Sequence, residues 1–245
     1  MSEFAILATI AVLSVVQSIF GVGVLIFGTP ILLLAGFGFE KVLSILLPAS
    51  LTISVLQVVL DRGVSKNTFR EFSWRLLPAA IAGICFALVV RVPMIDVLVS
   101  IVLIVIAYFR VSERRRVHLV RIARKHGGAM LALTGALHGL TNLGGSLLEA
   151  YVSSLHNDKT SMRQNTALGY AMLALVQLGA LAAFQRLQFG AINLMAAMVA
   201  GAVFITVGRI CFLTMPEQPY RVLVSAVMVC AATALVAKRF VVTAA

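Results

Sequence analysis

Long apolar runs separated by short polar stretches fill nearly the whole chain. The first covers Phe4 to Phe20. Gly21, Gly23, Gly28, Thr29 and Pro30 then interrupt the pattern before Ile31 to Ala35. Val42 to Leu60, which contains Pro48, is followed by the polar stretch Asp61 to Arg75. Leu76 to Val90 and Met94 to Phe109 come next, divided by Arg91-Val92-Pro93. After a basic segment the pattern restarts with Ala129 to Leu140, breaks at Thr141 to Ser146, and resumes over Leu147 to Leu155. A polar connection from His156 to Asn165 leads to Thr166 to Phe184, Ala191 to Leu213 and Val222 to Ala237. A run of ~20 apolar residues crosses a ~30 Å hydrocarbon layer. The pattern predicts an all-α, polytopic integral membrane protein of about eight transmembrane helices.

The two halves carry matching marks. Gly23 and Gly145 lie 122 positions apart, and Gly83 and Gly201 lie 118 apart. Val97-Leu98-Val99-Ser100 returns as Val222-Leu223-Val224-Ser225, 125 positions later. The spacing predicts two internal repeats, each with a broken first helix, an arrangement frequent in secondary transporters. The expected organisation is a first membrane repeat over 1–109, a basic cytoplasmic loop over 110–126 and a second membrane repeat over 127–245. A broken segment that crosses once gives parallel repeats. One that enters and returns gives inverted repeats, favoured by the shortness of Val22 to Gly36. Lysine and arginine counts along the sequence leave both open.

Only 12% of the 245 residues are charged, against about 25% in soluble domains, and the mean hydropathy is +1.04. The net charge of +11 does not point to nucleic acid, because most basic residues lie between apolar runs, where they orient a membrane chain. Arg110, Arg114, Arg115, Arg116, Arg121, Arg124 and Lys125 form the densest group. Cys85, Cys211 and Cys230 fall inside apolar runs without a C-x-x-C spacing and read as buried thiols. The first run lacks a basic leader and a small-x-small cleavage site, so it is expected to be retained.

Irregular backbone at membrane depth is tolerated where protein covers it or where it lines a wet cavity. A helix that restarts after a break presents free N–H groups and a positive dipole end, which suit an anion. Gly21, Val22 and Gly23, with Gly144, Gly145 and Ser146, are therefore candidate substrate-binding residues; the competing reading is that these glycines serve close helix packing. Gln17 stands one turn before the first break, and His138, Thr141 and Asn142 stand beside the second; all four join the candidate site. Glu149 is the carboxylate of that segment and the candidate for carrying a coupling proton. Arg91 and Arg209 read as snorkelling residues. Gln57 and Gln177 read as cavity lining or as single interhelical hydrogen bonds, and His118, His126 and His156 as solvated.

No dinucleotide fingerprint, phosphate loop, zinc motif or clustered His/Asp set occurs, so neither an enzyme, a cofactor nor a metal site is expected.

Gly21-Val22-Gly23 followed by Pro30 and Leu32 to Leu34, and Gly139 to Gly145 followed by a polar turn, resemble the sulfite exporter TauE/SafE family of bacterial anion permeases. Chain length, span number and duplication agree with that family over nearly the whole chain. The glycine runs are shorter than is usual there. The resemblance implies transport of small sulfur anions, such as sulfite or sulfonates, across the bacterial inner membrane. The combined expectation is a multi-pass secondary transporter in a lipid bilayer, with a small anionic substrate and no nucleic-acid partner. The alternatives are a passive anion channel and a membrane scaffold subunit without transport of its own.

Overall fold

The computed structural model describes residues 1–61, 64, 66–90, 95–156 and 158–214. The run Val222 to Ala237, the second Val-Leu-Val-Ser copy, Cys230 and Arg91 lie outside the described residues. Among those described, all regular structure is helical. In chain order the helices are α1 (Glu3–Phe20), α2 (Val24–Leu34), α3 (Phe39–Asp61), α4 (Lys66–Val90), α5 (Ile95–Val111), α6 (Glu113–Lys125), α7 (Gly127–Thr141), α8 (Gly145–Leu155), α9 (Lys159–Ala183) and α10 (Ala191–Thr214). Wider π turns interrupt α4 at Phe72–Leu76 and α10 at Phe204–Gly208. Five of the ten, α1, α3, α4, α9 and α10, are long and apolar enough to cross a membrane.

Several helices run past the apolar stretches that announce them. Lys66 to Arg75, polar in sequence, forms the first turns of α4, and Lys159 to Asn165 opens α9. The basic segment expected as a loop is helical over Glu113–Lys125. Its basic residues alternate with Leu119, Val120 and Ala123, an apolar stripe at helical spacing on a helix that packs on α8.

The distribution of polarity is the reverse of that in a soluble protein. Ser14, Gln17, Ser50, Ser54, Gln57, His138, Asn142 and Gln177 are buried between helices. Val12, Ile81, Phe86, Leu175, Met198 and Ile210 are exposed on the outer faces. Hydrocarbon accepts the second group at no cost, whereas polar groups must find partners inside the bundle.

The contacts between helices fix their directions. At one end, Arg163 of α9 pairs with Asp61 of α3, Lys159 Nζ donates to the Phe212 carbonyl of α10 (2.6 Å), and Arg124 of α6 donates to the Ser154 carbonyl of α8 (3.2 Å). At the other, Arg186 approaches Glu40 (3.4 Å), and Gln188 and Asn193 bond to Ser44. The first will be called the basic end. Helices α3 and α10 run toward it, and α4 and α9 run away from it.

Both broken segments fold back on themselves. A β-carbon on Gly23 would stand 2.6 Å from the Gln17 nitrogen, and one on Gly144 would stand 2.5 Å from the Thr134 carbonyl oxygen. Helices α2 and α8, 11 residues each, thus return beside α1 and α7. The first hairpin points its turn toward the basic end, where Gly21 lies against Arg163 and Thr166. The second points its turn away from that end, where the His138 carbonyl meets Gln177.

Packing crosses between the halves. Helix α4 lies mainly against α7 and α9, while α10 lies against α1 and α3. The α4–α7 seam is made by small residues: β-carbons on Gly135 and Gly139 would stand 2.2 Å from the Leu76 oxygen and 2.4 Å from the Ala80 oxygen. The four-residue spacing of these glycines lets two backbones touch.

Candidate functional site

Each hairpin turn begins with a residue in the left-handed conformation. Gly21 (φ 72°) ends α1, and its N–H donates to the Gln17 carbonyl (2.8 Å). Asn142 (φ 64°) ends α7, and its N–H donates to the His138 carbonyl (2.7 Å). Asparagine is among the few residues with a side chain that tolerate this geometry.

At the first turn, Gln17 stitches three helices together. Its Oε1 accepts from the Val24 N–H (3.2 Å), the first residue of α2. Its Nε2 donates to the Ser50 carbonyl (3.0 Å) and to Ser54 Oγ (3.1 Å) of α3. Side chains of neighbouring helices add donors to the last carbonyls of α1. Gln57 Nε2 donates to those of Gln17 (3.1 Å) and Ser18 (3.0 Å), and Arg163 Nη1 to that of Ser18 (3.1 Å). Gly21, Val22 and Gly23 are all buried.

At the second turn, Gln177 Nε2 donates to the His138 carbonyl (3.0 Å). Thr141 Oγ1 donates to the Leu137 carbonyl (2.7 Å) and accepts from the Leu143 N–H (3.3 Å). Asn142 Nδ2 reaches the other hairpin and donates to Thr29 Oγ1 of α2 (2.9 Å). His138 is fully buried, edge-on to Tyr170 with ring centroids 5.6 Å apart. Among the described residues, neither imidazole nitrogen of His138 nor Asn142 Oδ1 has a hydrogen-bond partner in the protein. Buried polar atoms are seldom left this way.

Glycine at these turns makes room for protein. A β-carbon on Gly145 would stand 1.5 Å from Tyr170 Oη, and one on Gly144 would stand 2.7 Å from His138 Cβ. The packing role weighed against substrate contact is thus present at both positions. Of the N–H groups in the first turn of α2, that of Val24 is taken by Gln17 Oε1.

A cavity of about 210 Å³ reaches the second hairpin from α5 and α6. Leu143, Ser146 and Glu149 line it, with Arg116 and apolar side chains of α5. No residue of the first turn lines it. The structure therefore joins His138, Thr141, Asn142, Gly144, Gly145 and Ser146 into one cluster, and Gln17, Gly21, Val22 and Gly23 into another. Asn142 and Thr29 bridge from the second turn to α2. Thr29 and Arg163 complete the picture and were not candidates in sequence, and Gln57 and Gln177, read there as cavity lining or single interhelical hydrogen bonds, bond between helices. The 120-position separation of Gln57 and Gln177 is close to that of the paired glycines.

A family model described as Sulfite exporter TauE/SafE matches residues 6–235. No curated protein and no solved structure gives a match.

Proposed function

Because this chain belongs to the sulfite exporter TauE/SafE family, a family of membrane transporters, we propose that it is a secondary transporter of a small sulfur oxyanion, sulfite or a sulfonate. The observation that carries this reading is the pair of 11-residue helices, α2 and α8, that begin inside the bundle. Their N-terminal dipoles are positive and their lengths too short for a crossing. An oxyanion between them would meet the unpaired nitrogens of His138, the amides that open α8, and Ser146. Glu149, in the wall of the adjoining cavity, is the proposed carrier of a coupling proton.

The oppositely pointing hairpins support an inverted repeat, with 1–109 and 127–245 each contributing one hairpin, joined through the basic 110–126 segment. Lys66, Arg70, Arg75 and the six basic residues of α6 gather at one end, against Lys41 and Arg186 at the other. The positive-inside rule then makes the basic end cytoplasmic, in keeping with a bacterial inner membrane. A reporter fused after Ala245 tests this: a cytoplasmic signal there contradicts inversion.

Transport is tested in proteoliposomes with labelled sulfite and a short alkanesulfonate. Saturable uptake that disappears in His138→Ala and Asn142→Ala supports the site. Lack of saturable uptake of any oxyanion overturns the function, and currents far above carrier turnover would make the protein a channel. Glu149→Gln should remove the pH dependence of uptake while sparing anion binding.

A further inference from the structure

We propose that Arg163 is a binding residue for the transported anion, and that Asp61 occupies its guanidinium as an internal substitute for that anion. The proposal rests on the anion-transport reading above and deepens it.

Arg163 is the one lysine or arginine among the described residues that is buried, with its side chain 3% exposed. It sits beside the turn of the first hairpin: its carbonyl oxygen would stand 3.0 Å from a β-carbon on Gly21, and its Nη1 holds the Ser18 carbonyl at the end of α1. Nη2 pairs with Asp61 Oδ2 at the last residue of α3. The guanidinium carbon lies 3.4 Å from the centre of the Phe212 ring. Nε is buried with no partner among the described residues. The side chain is thus aimed, stacked and pre-formed, with one N–H unused.

A carboxylate and a sulfite or sulfonate group present the same thing to a guanidinium, two oxygens at fork spacing. The local charge favours exchange. Lys159 lies over the Phe212 ring at 4.5 Å, and Arg209 is within electrostatic reach of Arg163. Against these three cations stand Asp61 and Asp158, and Asp158 is engaged at the Ser161 N–H of its own helix. An anion arriving from the basic end takes Nη2 and the unused Nε, and Asp61, at the end of α3, turns outward. The clamp that ties α3, α9, α10 and the first hairpin together then loosens, which is what a rocking of one repeat against the other needs. As a purely structural pair, the ion pair has weak grounds for being there, because buried pairs are often no more stabilising than apolar packing.

The experiment is thermal unfolding of purified Asp61→Asn in detergent, with and without sulfite, sulfate as a second oxyanion and chloride as control. The substitution leaves Arg163 without its counter-charge, so the variant should melt below wild type. Sulfite should restore most of the difference, with an apparent affinity about tenfold tighter than in wild type; chloride should not. Adding Arg163→Gln should abolish the sulfite response. Failure of sulfite to stabilise Asp61→Asn, in a preparation whose wild type transports sulfite saturably, overturns the proposal and leaves the function standing. If Asp61→Asn does not fold, Arg163→Lys decides: the charge stays and the fork is lost, so the KM for sulfite should rise about tenfold with maximal rate changed less. An unchanged KM overturns the proposal.

Discussion

Replacing Gly145 with alanine tests whether the second hairpin turn is held by contact with α9. The added β-carbon would stand 1.5 Å from Tyr170 Oη, 2.5 Å from Cζ and 2.8 Å from Cε2. Ordinary contact begins at 3.4 Å, so the hydroxyl would have to retreat by about 2 Å. Tyr170 is fully buried, and His138 stands against its ring. The ring therefore moves only by pushing His138 or by lifting α8. Overpacking of this kind costs roughly 1–3 kcal/mol or more, a fall of about 2–12 °C in melting temperature for a chain of this size. The assay is survival of the monodisperse peak on size exclusion after heating in detergent. Gly179→Ala is the control: nothing lies within 4 Å of that position, and alanine gains up to ~1 kcal/mol of helix propensity. Tyr170→Phe should recover part of the loss in Gly145→Ala, because Cζ remains too close. Equal melting of Gly145→Ala and Gly179→Ala would refute the reasoning.

Three further outcomes follow from the same geometry. Gln57→Leu and Gln177→Leu each withdraw a donor from the end of a hairpin arm and should lower stability by roughly 0.6–2 kcal/mol, read by the same heating assay. Gly135→Ala drives a β-carbon to 2.2 Å from the Leu76 oxygen, where backbone cannot yield; it should destabilise far more than Gly38→Ala, which meets nothing within 4 Å. Asp158 caps α9, and its hydrogen bonds to Ser161 hold its carboxyl below the usual carboxylate range. A depressed folded pKa stabilises above the unfolded value and loses that effect as pH falls through the folded one. The melting deficit of Asp158→Ala should therefore be full at pH 7 and close below about pH 4.

The positions of the helices were legible in the sequence, because a membrane helix must hide its backbone and wear apolar side chains over the same stretch. Phe4 to Phe20 against Glu3–Phe20 and Ala191 to Leu213 against Ala191–Thr214 show how closely hydropathy tracks the element. It fails at Lys66 to Arg75, at Lys159 to Asn165 and over α6, where helices continue into the polar margin and composition no longer reports hydrogen bonding. The left-handed turns at Gly21 and Asn142 coincide with the breaks read from glycine and asparagine. What closes those turns was not legible. Gln57 is 40 positions from the carbonyl of Gln17 that it caps, and Arg163 is 145 from that of Ser18. A single sequence carries residue chemistry but no distances, so a buried glutamine and a span-end arginine look the same whether they cap, snorkel or bind.

The exchange of α4 and α10 between the halves bears on how the chain is made. Gly83 meets Gly139, 56 positions later, and Ser18 lies under Gly208, 190 positions later. When α4 first leaves the translocation machinery, the backbone groove it will fill does not yet exist. Lipid has to cover its narrow glycine face until α7 emerges, and α1 stays half-clad until nearly the whole polypeptide has been synthesised. The packing of α4 on α7 and of α10 on α1 thus ties early and late parts of the chain together.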